Sequence, residues 1–257
     1  MKTFLRRFEN NRDLVILFGT WGLDEKAFSN LCTDRFDFIL FYNYSADEPL
    51  ILPEMKTYRR VTVIGWSLGV WAAEFYSRRM GIRPDLTIAI NGTPVAADDH
   101  YGVPLKIFEA TLNNITNYSM AKFYLRVFGN KSSFERNRPI IPSRSVKSLH
   151  DELRWIYNRM MEPVQTGFVW DYSLIGTEDR VFRASNLISY WNMHPETRQI
   201  IVESPHYLFD NWKTLDELIR FVRRHRLSPF RITSALDTAQ KEVGHRRIYK
   251  RFQRCDS

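Results

Sequence analysis

Short apolar runs bounded by turn residues recur along this chain, and each has the length of a buried β-strand. The runs cover residues 14–18, 36–42, 61–64, 86–90, 171–175 and 199–202. Continuous apolar strands are typical of a parallel sheet whose two faces are both covered. A helix is predicted over residues 68–80, where Leu68, Trp71, Ala72 and Phe75 recur at helical spacing. The chain is therefore predicted to have an α/β fold, a mostly parallel sheet with helices on both faces.

The alternation of strands and helices breaks between about residues 98 and 164. Two or more amphipathic helices appear there without a strand between them. Their apolar stripes are Met120, Phe123, Tyr124, Val127 and Phe128 in one, and Val146, Leu149, Leu153, Ile156, Tyr157 and Met160 in the other. Ser143 or Ser145 is available to cap the second helix. This insertion predicts a helical cap over one edge of the sheet, within a domain of residues 1–224. Residues 225–257 are predicted to be a basic peripheral helix or linker.

Charge and composition limit the classes of function. The 257 residues carry a formal net charge of +8, but no zinc-finger spacing or aromatic RNA-binding pattern accompanies it, which disfavours a nucleic-acid partner. No run approaches the roughly 20 apolar residues of a membrane span, and no signal peptide is recognised at the first residues. Two cysteines, Cys32 and Cys255, do not form a disulfide framework. These features favour a cytoplasmic protein without a membrane partner.

The strongest local signal is the sequence Gly65-Trp66-Ser67-Leu68-Gly69 between a predicted strand and a predicted helix. This is the G-x-S-x-G nucleophile elbow in the context that gives it meaning. A tight strand-to-helix turn lifts the Ser67 hydroxyl clear of the backbone, and the crowded positions two before and two after it require small residues. The following helix points its N-terminus at the place where negative charge develops. The chain is therefore predicted to be a serine hydrolase with an α/β-hydrolase fold.

A serine nucleophile needs a base and an acid that orients the base. His206 is the candidate base, because it follows the last predicted strand, in Ser204-Pro205-His206-Tyr207. Asp179 is the best candidate acid, since it comes just past the strand at 171–175. Glu178 is an alternative acid one residue away, and Asp98 and Asp99 form a second alternative. The order Ser67, Asp179, His206 is the order of α/β hydrolases.

An oxyanion hole requires two backbone donors near the nucleophile. The N–H of Leu68 is one candidate, because it follows Ser67 directly. The other is the N–H of Trp21 in Phe18-Gly19-Thr20-Trp21-Gly22, where two glycines let the loop turn its amides toward the site. The rival interpretation is a plain turn with a core tryptophan. No metal-ligand spacing and no phosphate-binding glycine loop is found, so neither a metal nor a cofactor is predicted.

With these residues in place, the chain resembles the pimeloyl-[acyl-carrier protein] methyl ester esterases of biotin synthesis, of the BioG type. The resemblance covers roughly residues 14–221. It rests on Phe-Gly-Thr-Trp-Gly, Gly-Trp-Ser-Leu-Gly-Val-Trp, Asn91-Gly-Thr-Pro with Asp98-Asp99, Tyr101-Gly-Val-Pro104, Ile175-Gly-Thr-Glu-Asp-Arg and Ser204-Pro-His206. It implies a Ser67–Asp179–His206 triad, oxyanion donors at Trp21 and Leu68, and a carrier-bound pimeloyl methyl ester as substrate.

The resemblance also implies an acidic partner, the acyl carrier protein, which a basic cap would attract. The candidate docking residues are Lys122, Arg126, Arg144, Lys147 and Arg154. Residues 248–257 weakly resemble the opening of the methyltransferase that acts earlier in the pathway, which implies a fusion with such a domain. Two alternatives to the esterase remain open: a thioesterase or broad short-chain carboxylesterase with the same triad, and a non-catalytic scaffold that binds acyl carrier protein.

Overall fold

A computed structural model describes residues 1–46, 48, 52–162 and 167–225 of the chain. The chain divides into two compact units, Met1–Arg220 and Phe221–Ser257, and the first holds the features that follow. The predicted tail lies outside the described residues from position 226 onward, as does Cys255. The predicted domain boundary after residue 224 therefore stays a prediction.

The first unit is built on a seven-stranded sheet in the order β1-β3-β2-β4-β5-β6-β7. The strands are β1 Lys2–Arg6, β2 Asp13–Phe18, β3 Asp37–Tyr42, β4 Arg60–Trp66, β5 Leu86–Ile90, β6 Tyr172–Gly176 and β7 Arg198–Val202. All neighbouring strands are parallel except β1, which pairs antiparallel with β3 at one edge. Strands β2 to β5 are almost wholly buried, as expected for a sheet covered on both faces.

Seven helices accompany the sheet in the described residues. They are α1 Leu68–Arg79, α2 Leu105–Asn113, α3 Asn117–Phe128, α4 Lys131–Asn137, α5 Val146–Met160, α6 Ala184–Trp191 and α7 Leu215–Arg224. Short 3-10 turns occur at Glu25–Ala27, Ser29–Leu31, Met55–Thr57, Arg138–Ile140 and Leu208–Asn211. None of the described helices is long and apolar enough to cross a membrane. The α/β fold class predicted from the sequence is confirmed.

Helices α2 to α5 lie between β5 and β6 and form the cap, where the sequence predicts a helical insertion. Each of the two predicted stripes is the buried face of a helix: Met120, Phe123 and Val127 on α3, and Leu149, Leu153 and Ile156 on α5. Ser145, rather than Ser143, caps α5, because its hydroxyl oxygen accepts a hydrogen bond from the Ser148 N–H. Both long helices of the cap thus bury an apolar face inside the protein.

Candidate active site

Ser67 stands at the turn between β4 and α1, in a backbone conformation that few residues adopt. Its φ is 59° and its ψ is −125°, and its own N–H is held by the Ile90 carbonyl at 2.8 Å. Such a conformation costs free energy and persists where the surrounding packing imposes it. Here the packing requires small neighbours: a Cβ on Gly65 would lie 2.7 Å from the Val70 Cα, and one on Gly69 would overlap the Phe18 carbonyl oxygen. The crowding predicted for the elbow is present.

Asp179 and His206 meet where β6 and β7 end. The Asp179 Oδ2 and the His206 Nδ1 are 2.7 Å apart, and both side chains are buried. The other carboxylate oxygen, Oδ1, accepts from the N–H groups of Val181 at 2.7 Å and Phe182 at 2.9 Å. Because an ionised carboxylate only accepts, Nδ1 carries the proton and Nε2 is left with a lone pair. This tautomer is the one that a general base requires.

Two aromatic rings lie near the imidazole. The Phe182 ring is parallel to it, with 6.0 Å between centroids and an interplanar angle of 3°, and the Trp66 ring is tilted by 36° at 5.4 Å. Its Nε2 is buried and has no hydrogen-bond partner among the residues described in the structure. A buried nitrogen without a partner is costly in a folded protein and often marks a functional group. His206 therefore offers a proton acceptor that the surrounding fold does not use.

The backbone around His206 is fixed by two side chains to which the sequence analysis gave no role of their own. The Asn91 amide, just after β5, donates to the His206 carbonyl at 2.9 Å and accepts from the Gly176 N–H at 2.7 Å. The Trp66 indole N–H donates to the same carbonyl at 3.0 Å. Asn91 thus joins the ends of β5 and β6 to the histidine loop. A buried polar residue directly after a strand is the sequence signal that would have pointed to it.

The alternative acids named from the sequence have other partners or positions. Glu178 is exposed. Asp98 accepts from the backbone N–H groups of His100 and Tyr101, and Asp99 accepts from the Leu105 N–H, so these two carboxylates stabilise the turn before α2. The geometry therefore favours Asp179 over all three.

The two residues that carry the candidate oxyanion donors line one cavity together with the serine. Residues 19–23 form a loop after β2, here named the oxyanion loop, and Trp21 in it lines the cavity together with Ser67 and Leu68. Among the described residues, no backbone acceptor is recorded for the N–H of Trp21 or of Leu68. Both donors are therefore available to a developing negative charge. The Trp21 indole is buried and its N–H donates to the Leu149 carbonyl at 2.8 Å, as buried tryptophans usually do.

The cavity and the solvent at its mouth together take up about 510 Å³. Its walls are mainly apolar, and Phe108, Phe123 and Leu153 of the cap contribute to them. Two cationic side chains, Arg126 of α3 and Arg180 after β6, also line it. The described residues hold no cluster of three or more His, Cys, Asp or Glu side chains that could bind a metal. The site is suited to an acyl chain that enters from a positively charged rim.

The five candidate docking residues have different surroundings. Lys122 and Arg126 are exposed on the outer face of α3, and their cationic groups lie over the rings of Tyr118 and Phe123. On α5, Lys147 is paired with Asp151 at 2.6 Å and Arg154 contacts His150 at 3.0 Å, in both cases at the surface.

Arg144 is the exception among them. Its side chain is only 11% exposed and pairs with the fully buried Glu152 at 2.5 Å. Further hydrogen bonds join it to Ser148 and Asn43. These contacts occupy its guanidinium group inside the protein, and this placement argues against the docking role predicted for it.

Comparison with known proteins gives one family. Residues 1–218 match the model of the family described as pimeloyl-ACP methyl esterase BioG. The crystal structure of BioG from Haemophilus influenzae is similar with a TM-score of 0.76 and 29% identity, covering 85% of this chain and 99% of that one. An esterase from Exiguobacterium antarcticum has a TM-score of 0.61 at 16% identity, covering 86% and 93%, which supports the α/β-hydrolase fold.

A malonyl-[acyl-carrier protein] O-methyltransferase from Bacteroides fragilis is 35% identical over 184 residues. The match covers 71% of this chain but only 37% of the methyltransferase. The fusion with a methyltransferase domain was predicted from residues 248–257, which lie outside the described residues, and the described residues do not support it. An uncharacterized protein from Haemophilus influenzae is 30% identical over 221 residues, covering 84% of this chain and 99% of that protein.

Proposed function

Because the chain belongs to the pimeloyl-ACP methyl esterase BioG family, we propose that it hydrolyses the methyl ester of pimeloyl-[acyl-carrier protein] in biotin synthesis, with a Ser67–His206–Asp179 triad. The observation that carries the mechanism is the buried Asp179–His206 pair at 2.7 Å, whose Nε2 has no partner in the described part of the chain. Ser67 occupies a strained elbow and lines the cavity together with Val181 and Phe182, whose N–H groups bind Asp179.

In this mechanism the Ser67 hydroxyl attacks the ester carbonyl while the His206 Nε2 takes its proton. Asp179 holds the imidazole and stabilises the imidazolium that forms. The N–H groups of Trp21 and Leu68 bind the oxyanion, a contribution of about 2.7–4 kcal/mol for each donor. As the tetrahedral intermediate collapses, the imidazolium protonates the departing methoxide oxygen, which leaves as methanol. Water, activated by His206, releases the free ω-carboxylate from the acyl-enzyme.

We further propose that the acidic carrier protein docks on the rim of the cavity, in the cytoplasm. Lys122 and Arg126 on α3 and Lys147 and Arg154 on α5 are its candidate contacts, all of them at the surface. Arg126 connects this surface to the site, because it lines the cavity as well. A positive rim of this kind accelerates encounter with an acidic partner more than it adds affinity.

The test is methanol release from pimeloyl-[acyl-carrier protein] methyl ester. Ser67→Ala should lower kcat on the order of 10⁶-fold, as removal of a serine nucleophile does elsewhere. The matched control is Ser189→Ala, which alters an exposed serine on α6 and should leave turnover unchanged. Methanol release that survives in Ser67→Ala would refute the nucleophile. Release of the intact monomethyl acyl chain from the carrier would instead identify a thioesterase.

A further inference from the structure

Two helices of the cap form hydrogen bonds with the oxyanion loop, at Trp21 and at Gly22. The Trp21 indole N–H donates to the Leu149 carbonyl of α5 at 2.8 Å. The Tyr124 hydroxyl of α3 donates to the Gly22 carbonyl at 2.6 Å. These bonds join residues that are 128 and 102 positions apart in the chain. Two cap helices therefore form hydrogen bonds with two adjacent residues of the loop.

A buried carboxylate of the cap lies beside the same loop. Glu152 of α5 is fully buried and accepts a hydrogen bond from the Tyr44 N–H at 3.1 Å, and the Gly22 N–H lies near the same carboxylate. Arg144 neutralises its charge. The Gly22 carbonyl is thus held by the Tyr124 hydroxyl, and its N–H lies near Glu152. We name Tyr124, Leu149 and Glu152 the clasp.

The loop needs such external support, because its own backbone is not part of a helix or strand. Gly22 has a φ of +82°, in the left-handed region, and a Cβ there would come within 3.5 Å of the Tyr124 hydroxyl and 3.7 Å of Met120. At its start the loop is held at Gly19, whose N–H donates to the Phe41 carbonyl at 2.9 Å and whose carbonyl accepts from the Tyr44 hydroxyl at 2.7 Å. The clasp holds it on the other side of the peptide that carries the Trp21 N–H. Catalysis by an oxyanion donor depends on its being preorganised, and small displacements are costly.

We propose that the cap is a fixed part of the catalytic apparatus and that Tyr124 and Glu152 are positioning residues, which aim the Trp21 N–H at the oxyanion. The inference rests on the proposed function, since it presumes acyl transfer at Ser67. It goes beyond that function, because it assigns to the cap a part in transition-state stabilisation in addition to carrier docking.

Tyr124→Phe tests this inference, because it removes the one hydroxyl and keeps the buried ring. The substrate is p-nitrophenyl butyrate, a small ester that needs no carrier protein. We expect kcat to fall about tenfold and KM to change less than about twofold. The inhibition constant of a trifluoromethyl ketone, which forms a tetrahedral oxyanion on the serine, should weaken by the same factor. The pH profile of kcat/KM should stay in place, since His206 and Asp179 are untouched.

The matched control is Tyr157→Phe on α5, where the lost hydroxyl bonds only the exposed Glu109. Glu152→Gln is a second variant with the same expected signature, measured below the melting temperature determined by circular dichroism. An unchanged kcat in Tyr124→Phe, an equal loss in Tyr157→Phe, or a loss of kcat without weaker ketone binding would each overturn the inference. Turnover that persists in Ser67→Ala would contradict the proposed function instead, so the two failures are distinguishable.

Discussion

Glu74 of α1 is a carboxylate in a poorly hydrated position away from the triad. Burial raises its pKa to about 7, although a hydrogen bond from the Trp170 indole at 2.9 Å and the charges of Arg78 and His194 act in the opposite direction. The unfolded chain releases this proton near pH 4.5, whereas the folded protein keeps it to about pH 7. Folding stability should therefore decline as pH rises through that window and level off above it.

Glu74→Gln removes the titration and retains an oxygen that accepts from Trp170. At pH 8 we expect the variant to be more stable than the native protein by up to about 3.5 kcal/mol, which is about 2.5 pH units at about 1.4 kcal/mol per unit. At pH 4.5 the difference should vanish. Urea denaturation across this pH range measures it, with Glu203→Gln at an exposed position as the control. A stability difference that does not vary with pH would contradict the assignment.

At the same scale, the triad could be predicted because its local signals are strong. Ser67 sits in a motif whose glycines are dictated by contacts within a few residues and one strand. His206 and Asp179 could be placed by chain order, since parallel strands deliver their carboxyl ends to one edge of the sheet. The choice of Asp179 over Glu178 needed the structure, because adjacent acids differ only in which one turns inward.

At the scale of elements, the tightest contact of the nucleophile elbow is the one between Gly69, in the first turn of α1, and the end of β2. Gly69→Ala would place a methyl group on the Phe18 carbonyl oxygen and within 2.6 Å of the Gly19 carbonyl oxygen. Backbone cannot yield as a flexible side chain does, so we expect a loss of about 3 kcal/mol or more in the free energy of unfolding. Activity should fall too, because the displaced residues begin the oxyanion loop.

Gly81→Ala is the matched control for this change. Gly81 ends the same helix in open space, and only its φ of +64° opposes a side chain. That conformation costs about 1–2 kcal/mol and involves no residue near the site. Urea denaturation and kcat on p-nitrophenyl butyrate compare the two. If Gly69→Ala lowered the free energy of unfolding and kcat no more than Gly81→Ala does, the contact between Gly69 and β2 would not be the constraint proposed for it.

The elements themselves were predicted unevenly, for physical reasons. The six apolar runs are all strands within two residues of their predicted ends, because continuous burial leaves a clear pattern. The edge strand β1 was missed, since its residues are half-buried and too few to show an alternation. Helix α2 was not singled out either, because its exposed Leu105 and Ile107 blur the amphipathic pattern.

At the scale of the whole molecule, the position of the cap was predictable but its bonds were not. A break in strand and helix alternation shows where an insertion lies, whereas the clasp joins residues more than 100 positions apart. The pairing of Arg144 with Glu152 was hidden for the same reason. Charge counts from sequence treat every arginine alike, so a buried structural ion pair was grouped with surface docking residues.

The net charge of +8 leads to a prediction about the whole surface. If the cavity rim steers an acidic carrier protein, charge reversal there should slow encounter far more than the same reversal elsewhere. We expect Arg126→Glu to lower kcat/KM for the carrier-bound methyl ester about tenfold at low ionic strength. The difference in kcat/KM between this variant and the native protein should become smaller in about 0.5 M salt, where the screening length is only a few ångströms.

Arg83→Glu makes an identical change in net charge at the opposite edge of the sheet. Arg83 is exposed in the turn that leads into β5, at the end of that strand remote from Ser67. We expect kcat/KM for the carrier-bound ester to change less than about twofold in this variant. Net charge alone would affect both variants equally, whereas a docking rim affects only Arg126→Glu. Equal losses in the two variants, or a loss in Arg126→Glu that salt does not reduce, would argue that the rim has no part in steering.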